Sequence, residues 1–238
     1  MTKEEHITNT QPTKGQAADY ASGLTAGKEA PEAGSAAAQP ADSPAEPAAP
    51  TVYFEDLDLN DDILDALYDM QFDVCTPIQG QAIPPLLEGR DLIGVAQTGT
   101  GKTAAYLLPI LSKLHEGNYP SDAINCVIMA PTRELAQQID QALEGFAYYL
   151  DGVSSVAVYG GNDGIRYEQE KRGLQLGADV IIATPGRLIS HLSLGNVDLS
   201  HVSFFVLDEA DRMLDMGFYD DIMQIAKYMT SPRQTIMF

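Results

Sequence analysis

The residues from Ala96 to Thr103 have the types and the spacing of a loop that binds phosphate groups. Gly99 and Gly101 let the backbone curl so that its N–H groups can point at phosphate oxygens. Lys102 is placed to reach the β- and γ-phosphates of a nucleotide, and the Thr103 hydroxyl is placed to bind magnesium. The usual pattern begins with glycine, where this chain has Ala96. The predicted phosphate loop also contains Gln97, Thr98 and Thr100.

A second segment that could do chemistry is Asp208-Glu209-Ala210-Asp211, which directly follows the apolar residues 204–207. Two adjacent carboxylates at the tip of a strand can take different tasks. Asp208 would hold magnesium, directly or through water, and Glu209 would polarise the water that attacks a phosphate. The alternative is a solvated acidic turn, which is common after strands. A phosphate loop upstream in the same chain favours the catalytic interpretation, and together the segments predict a nucleoside triphosphatase.

The elements that must position these residues alternate between apolar strands and amphipathic helices. We predict strands at 92–96, 126–130, 155–159, 180–183, 204–207 and 235–238. We predict helices from Asn60 or Asp61 through Met70, and over 103–115, 133–150 and 219–229. This alternation implies an α/β fold with crossover connections and a parallel sheet that helices cover on both faces. Ligands of such sheets bind beyond the carboxyl ends of the strands, where both segments lie.

Composition divides the 238-residue chain near residue 50. From Gln11 to Pro50 the sequence is mostly Ala, Pro, Gly, Ser, Glu and Asp, which cannot bury enough apolar surface to offset its ordering entropy. We therefore predict a disordered tail over residues 1–50, either a solvated extension or a segment for partner binding or localisation. Residues 51–238 are sufficient for one domain of ordinary size.

The charge and the cysteines limit the function further. The net charge is −20 with histidines neutral, and the tail holds only three lysines against seven acidic residues, so −16 belongs to residues 51–238. This acidity argues against tight, non-specific nucleic-acid binding through a broad basic patch. Cys75 and Cys126 are isolated, which predicts a reducing cytoplasm rather than a disulfide scaffold or zinc site. Neither a signal peptide nor a bilayer-spanning apolar run is present in the sequence, so we expect a soluble protein without a membrane partner.

With these motifs identified, the chain resembles the first RecA-like domain of the DEAD-box ATP-dependent RNA helicases from about Tyr53 to Phe238. The letters of Asp208–Asp211 spell the family's name. The resemblance implies a RecA-like P-loop domain that uses ATP and Mg²⁺ and binds RNA. The residues 160–164 and the Cys-Thr-Pro-Ile-Gln sequence that ends at Gln79 are more similar to bacterial members.

The resemblance includes the adenine-reading Q motif, at residues 52–80 of this chain. It implies that Gln79 hydrogen-bonds the adenine edge, since a side-chain amide offers both a donor and an acceptor. It also implies that Phe54 stacks on the base, although this residue alone would more often be a core aromatic. The family usually has Gly where this chain has Gln71 and Pro where it has Cys75. Neither change touches Gln79.

Three further segments are similar to the family's RNA-backbone motifs. Each combines the end of a strand with hydroxyl, N–H or guanidinium donors, which bind phosphates without reading the base sequence. Without the resemblance, the two arginines in these segments could equally form salt bridges at helix starts. A few such donors can hold a nucleic-acid strand without a basic patch, so the acidic total is compatible with RNA binding. The predicted RNA-binding residues are Pro131, Thr132, Arg133, Gly160, Gly161, Thr184, Pro185, Gly186 and Arg187.

In the family, a Ser-Ala-Thr motif and a second RecA-like domain follow the strand predicted at 235–238, and this sequence stops at Phe238, before both. The resemblance implies that arginine fingers, half of the ATP site and half of the RNA surface belong to that second domain. We therefore expect the chain by itself to bind adenine nucleotide weakly and to hydrolyse little of it. We also expect the last strand to lie between the phosphate-loop strand and the Asp208–Glu209 strand.

Two other functions remain open at the level of sequence. The first is a non-enzymatic module that binds RNA or a protein partner through this domain and the tail. The second is a different P-loop ATPase that acts on DNA. Gln79, Phe54 and residues 184–187 argue against the DNA enzyme, because the resemblance assigns them to adenine and RNA.

Overall fold

The computed structural model of the protein describes residues 51–160 and 164–238, so the predicted tail lies outside the described residues. A one-turn 3₁₀ helix, Phe54–Asp56, precedes the larger elements. The α-helices of the described residues are α1 Asp61–Asp69, α2 Pro77–Leu87, α3 Lys102–His115, α4 Arg133–Phe146, α5 Gly164–Leu176, α6 Pro185–Ser193, α7 Ala210–Asp215 and α8 Tyr219–Ala226. The strands are β1 Leu92–Ile93, β2 Cys126–Met129, β3 Ser155–Val158, β4 Val180–Ala183, β5 Phe204–Leu207 and β6 Gln234–Met237.

These strands form one sheet in the order β1-β6-β5-β2-β4-β3. Each neighbouring pair is parallel, as the alternation of strands and helices predicts. The last strand occupies the expected central position: Ile236 is in register with Leu92 on one side and with Val206 on the other. A parallel neighbour can be reached only by a crossover, and the helices provide those crossovers.

The apolar residues of β2 to β6 divide between two cores, one on each face of the sheet. In β2, Cys126 and Ile128 belong to the core that contains residues of α1, α2, α3 and α4. Val127 and Met129 belong to the core that contains residues of α5, α6, α7 and α8. Successive side chains of a strand point to opposite faces, so a strand that is apolar throughout requires helices on both. The predicted two-sided cover is confirmed.

The strand predicted at 92–96 is wrong in its length, since β1 has only two residues. Gly94 still donates its N–H to the Met237 carbonyl at 2.8 Å. Val95 is 93 % exposed, because the chain leaves the sheet there to enter the phosphate loop. The other predicted strands agree with the structure to within one residue at each end.

Two predicted helices also end early. The helix predicted at 133–150 ends at Phe146, and the helix predicted at 219–229 ends at Ala226. After each end the backbone forms bonds three residues back, such as Tyr148 N–H to the Gly145 carbonyl and Tyr228 N–H to the Ile225 carbonyl. Such bonds tighten the last turn and satisfy carbonyls that the helix leaves open. Within the described ranges, no helix is both long and apolar enough to cross a membrane.

The central position of β6 leads to a test of stability. A chain that ends at Ser231 lacks β6 and should lose the cooperative thermal transition, because β1 then has no neighbour in the sheet. Ile236→Ala keeps the strand but empties a wholly buried site, and should lower the free energy of unfolding by about 2–5 kcal/mol. Thr235→Ala, one residue away and only half-buried, is the control and should change it little. A cooperative melt of the truncated chain in circular dichroism would contradict the assignment.

Candidate functional site

The phosphate loop connects β1 to α3, and two left-handed glycines shape it. Gly99 has φ +77° and Gly101 has φ +88°, a region that side chains with a Cβ rarely adopt. Gly101 is the residue before α3, so Lys102 and Thr103 form the first turn of that helix. Thr100 stabilises the loop from within, because its hydroxyl donates to the Gln97 carbonyl at 2.7 Å. The loop therefore presents the positive end of a helix, as an anion site requires.

Gln79 ties the segment before β1 to this loop. Its Oε1 accepts from the Thr76 N–H at 2.8 Å, which caps α2, and its Nε2 donates to the Gly101 carbonyl at 3.2 Å. The side chain is 6 % exposed. A primary amide has a second N–H and a second lone pair, so one donor and one acceptor remain for a ligand. Phe54 lies in the hydrophobic core at 4 % exposure and also forms part of the pocket wall.

The acidic pair follows β5 directly. Asp208 is 2 % exposed, and its Oδ2 accepts the Tyr106 hydroxyl of α3 at 2.8 Å. Glu209 adopts φ +53° and ψ +51°, an unusual left-handed conformation for a residue with a side chain. Its Oε2 accepts from Arg212 Nη1 at 2.8 Å. Backbone strain of this kind is often held at functional sites by the surrounding structure, and here the Ala210 N–H is fixed to the Phe238 carbonyl at 2.7 Å.

Burial and charge act in opposite directions on Asp208. Burial raises the pKa of its carboxyl, and Glu209 adds to that effect, whereas the Tyr106 hydroxyl and the Lys102 ammonium lower it. The net pKa lies above the ordinary value. Burial and the neighbouring Asp208 also raise the pKa of Tyr106, so its phenol keeps its proton and remains a donor. A cation beside Asp208 would favour the charged carboxylate.

The loop, the Gln79 segment and the acidic pair line one pocket of about 340 Å³. Of the predicted nucleotide residues, the pocket brings together Phe54, Gln79, Thr98, Gly99, Gly101, Lys102, Thr103, Asp208 and Glu209. The predicted residues Ala96, Gln97 and Thr100 belong to the loop but not to the pocket wall. Sequence reasoning missed Phe72, Val74 and Gln138 in this wall. Phe72 and Val74 lie within the Q motif predicted at residues 52–80, although neither was predicted to bind the nucleotide, whereas Gln138 reaches the pocket through the packing of α4.

A second, more open pocket of about 630 Å³ lies at the same edge of the sheet and is lined by the ends of β2, β3 and β4. We call it the backbone groove. It contains the described residues predicted to bind RNA, namely Pro131, Thr132, Arg133, Gly160, Thr184, Pro185, Gly186 and Arg187. Gly161 was also predicted and lies outside the described residues. Sequence reasoning did not assign Glu134, Tyr159, Ser190 or Phe218 to the groove. Glu134 lies within the motif that begins at Pro131, and the other three reach the groove through the fold.

Helix starts supply much of the groove. Thr132 caps α4, since its Oγ1 accepts from the Leu135 N–H at 3.2 Å, and Arg133 follows as an exposed residue. Thr184 precedes α6, whose first residue is Pro185. Proline fits that position because the first N–H of a helix has no intrahelical partner. Two helix N-termini therefore open into one groove, which suits a chain of anionic groups.

The two loop glycines allow a matched test. Alanine at either position should cost about 1–2 kcal/mol for the left-handed backbone. A Cβ at Gly99 meets nothing within 4 Å, whereas one at Gly101 would lie 2.3 Å from Gln79 Nε2. Gly101→Ala should therefore displace Gln79 and cost about 1–3 kcal/mol more. Urea unfolding of both variants measures the difference, and equal destabilisation would contradict the contact.

Comparison with known proteins agrees with this geometry. The family model described as DEAD/DEAH box helicase matches residues 76–238. The chain is 45% identical over 185 residues to the ATP-dependent RNA helicase DeaD of Escherichia coli (strain K12), covering 78% of this chain and 28% of that protein. It is 42% identical over 192 residues to DeaD of Mycobacterium tuberculosis (strain ATCC 25618 / H37Rv), covering 81% and 33%. The chain thus spans about a third or less of the length of these curated relatives.

A solved structure gives the same answer for the fold. The crystal structure of a DEAD box protein from the hyperthermophile Methanococcus jannaschii superposes with a TM-score of 0.71 at 33% identity, and the match covers 78% of this chain and 49% of that one. The predicted RecA-like α/β fold and the predicted family are both confirmed. The chain belongs to the DEAD/DEAH box helicase family.

Proposed function

We propose that this chain is the ATP-binding half of an ATP-dependent RNA helicase, in which ATP hydrolysis is coupled to local unwinding of an RNA duplex. The observation that carries the proposal is a pair of neighbouring sites at the same edge of one sheet. They are the pocket of about 340 Å³, which we call the nucleotide pocket, and the backbone groove. Residues 51–238 form the RecA-like domain of the proposal. The curated relatives bear the name ATP-dependent RNA helicase DeaD, and we extend that activity to this chain.

The proposed nucleotide is ATP. Its phosphates would lie against the loop at the start of α3, with Lys102 at the β- and γ-phosphates. The base would lie against Gln79, whose remaining N–H and lone pair match the N7 acceptor and N6 donor on the edge of adenine. Guanine presents two acceptors on the same edge and so leaves the lone pair of Gln79 without a donor. This argument supports a preference for adenine over guanine.

Magnesium would lie between the loop and β5, where the Thr103 hydroxyl and the Asp208 carboxylate supply oxygen donors of the kind it prefers. Among the described residues, no group of three or more His, Cys, Asp or Glu could hold a metal. That fits an ion which takes its other ligands from phosphates and water. Bound there, it would neutralise charge on the phosphates.

Glu209 is the proposed base of the hydrolysis. It would accept a proton from the water whose oxygen forms the new bond to the γ-phosphorus, while the bond to the β–γ bridging oxygen breaks and ADP leaves. Its contact with Arg212 leaves the second carboxylate oxygen for that water. Lys102 would stabilise the charge on the phosphoryl oxygens. The second RecA-like domain of the family would supply arginine fingers, so these residues form one wall of the active site.

The proposed partner in the backbone groove is RNA, bound through its sugar–phosphate backbone. The donors there are hydroxyl, N–H and guanidinium groups of Thr132, Arg133, Thr184, Gly186 and Arg187. Such donors fix a strand in position without reading its sequence. We also propose that the protein acts in the cytoplasm: Cys75 and Cys126 are free thiols, as a reducing compartment allows.

The base preference can be tested by displacing a fluorescent ATP analogue with ATP or GTP. Gln79→Ala should reduce the preference for ATP by about tenfold, as expected for two lost hydrogen bonds. Gln138→Ala is the matched control, because it removes an exposed glutamine from the same pocket wall and should leave the ratio unchanged. An unchanged ratio in Gln79→Ala would refute adenine reading by this residue.

Hydrolysis tests the division of the active site. The 238-residue chain alone should release phosphate slowly, with little stimulation by RNA, because an arginine finger is worth about 10³–10⁵ in rate. Glu209→Gln should remove the residual rate and keep the affinity for the ATP analogue. Single-turnover assays measure both. RNA-stimulated hydrolysis by the wild-type chain at the rate of a two-domain helicase would show that the site is complete without a second domain.

A further inference from the structure

Glu170 of α5 is a buried carboxylate that neither proposed site uses directly. It is 5 % exposed and accepts three hydrogen bonds. Oε1 accepts from the Gly160 N–H at 2.9 Å, and Oε2 accepts from Arg187 Nε at 2.6 Å and contacts His191 Nε2 at 3.1 Å. Gly160 and Arg187 come from two separate segments of the backbone groove. One side chain therefore joins both segments from behind.

The partners of Glu170 are themselves fixed. The wholly buried His191 ring stacks on the Tyr167 ring, with 4.5 Å between the ring centres and 5° between the ring planes. The Arg187 guanidinium lies 4.7 Å from the centre of the Tyr167 ring. Asn196 Nδ2 lies 3.3 Å from His191 Nδ1 and donates to the Tyr167 hydroxyl at 2.9 Å. Because an amide nitrogen only donates, Nδ1 is an acceptor and Nε2 carries the proton towards Glu170. The cluster holds Glu170 in one orientation.

The cluster also leaves Arg187 with donors to spare. Its Nε is paired with Glu170, whereas its buried Nη2 has no hydrogen-bond partner among the described residues. A buried donor without a partner is costly and uncommon. The stem of the Arg187 side chain also packs closely against Gly160. A Cβ added at Gly160 would lie only 3.3 Å from Arg187 Cδ and Nε. Arg187 is thus held through Nε, while its side chain stays 19 % exposed and lines the groove.

We propose that Glu170 is a positioning residue for RNA binding, which fixes Arg187 through Nε so that its terminal nitrogens meet an RNA phosphate. The proposal rests on the proposed function of the backbone groove. A free arginine loses much side-chain entropy when it binds, and a pre-positioned one has already lost it on folding. Burial raises the pKa of Glu170, but the donors from His191, Arg187 and Gly160 outweigh it and hold the pKa below its ordinary value. The carboxylate is therefore charged at neutral pH.

Positioning of Arg187 and simple electrostatics predict opposite effects on RNA binding when the charge of Glu170 is removed. An acidic residue behind an RNA groove repels phosphates, so removal of its charge should strengthen binding. If Glu170 positions Arg187, its removal should weaken binding instead. Glu168 is the matched control, because it lies on the same helix, is exposed and takes no part in the cluster. The sign of the effect separates the two explanations.

The test measures fluorescence anisotropy of a labelled decauridylate RNA with the 238-residue chain at low salt. Glu170→Gln keeps the size of the side chain but replaces one acceptor with an N–H₂ group, which cannot accept from Arg187 or Gly160. It should weaken RNA binding about tenfold, as expected for a lost hydrogen bond between charged groups. Glu168→Gln should leave RNA binding unchanged or slightly tighter. The affinity for the ATP analogue should not change in either variant.

A double-mutant cycle separates positioning from a structural role. In an Arg187→Gln background, Glu170→Gln should weaken RNA binding by no more than about twofold, because the residue it positions is gone. Equal losses in both backgrounds, or tighter binding in Glu170→Gln, would overturn the proposal. If Glu170→Gln melts several degrees lower, Glu170→Asp carries the same test, since it keeps the charge but shortens the reach. No RNA binding by the wild-type chain would overturn the function of the groove itself.

Discussion

The parallel register of the sheet is the constraint on which both sites depend. Because parallel strands end at the same edge, loops that are far apart in sequence meet there. With β6 between β1 and β5, the phosphate loop and Asp208 line one pocket. The buried hydrogen bond from Tyr106 to Asp208 then joins α3, the helix after the loop, to the end of β5. This side of the pocket therefore rests on the core elements α3 and β5.

Helix α4 gives the two sites a common wall. Its first turn, with Thr132 and Arg133, faces the backbone groove, and Leu135, Gln138 and Phe146 farther along it line the nucleotide pocket. The helix is packed into the core through Ala136, Ile139 and Leu143. If both ligands bind as proposed, α4 is an element through which a shift at one pocket could reach the other.

The sequence predicted the strand order near the loop, the two-sided sheet and the pocket residues with strong motifs. Those predictions depend on local signals: glycines with positive φ, paired acids after a strand, and apolar runs with a fixed period. Residues without such signals were not predicted. Gln138 looks like any exposed residue of an amphipathic helix, and Phe218 like any apolar residue after a turn. Glu170 sits among charged residues on α5, and only the packing of α5 against β3 and α6 shows that it is buried.

The acidic composition and the proposed RNA partner are compatible because affinity for a backbone depends on where donors lie. The chain carries a net charge of −20, so most of its surface repels a polyanion. The groove is lined by two helix N-termini and by Arg133 and Arg187, and Glu170 contacts Arg187 without lining the groove. Repulsion elsewhere would confine RNA to this groove. If RNA binds as proposed, an acidic domain would hold it at one place and in one orientation.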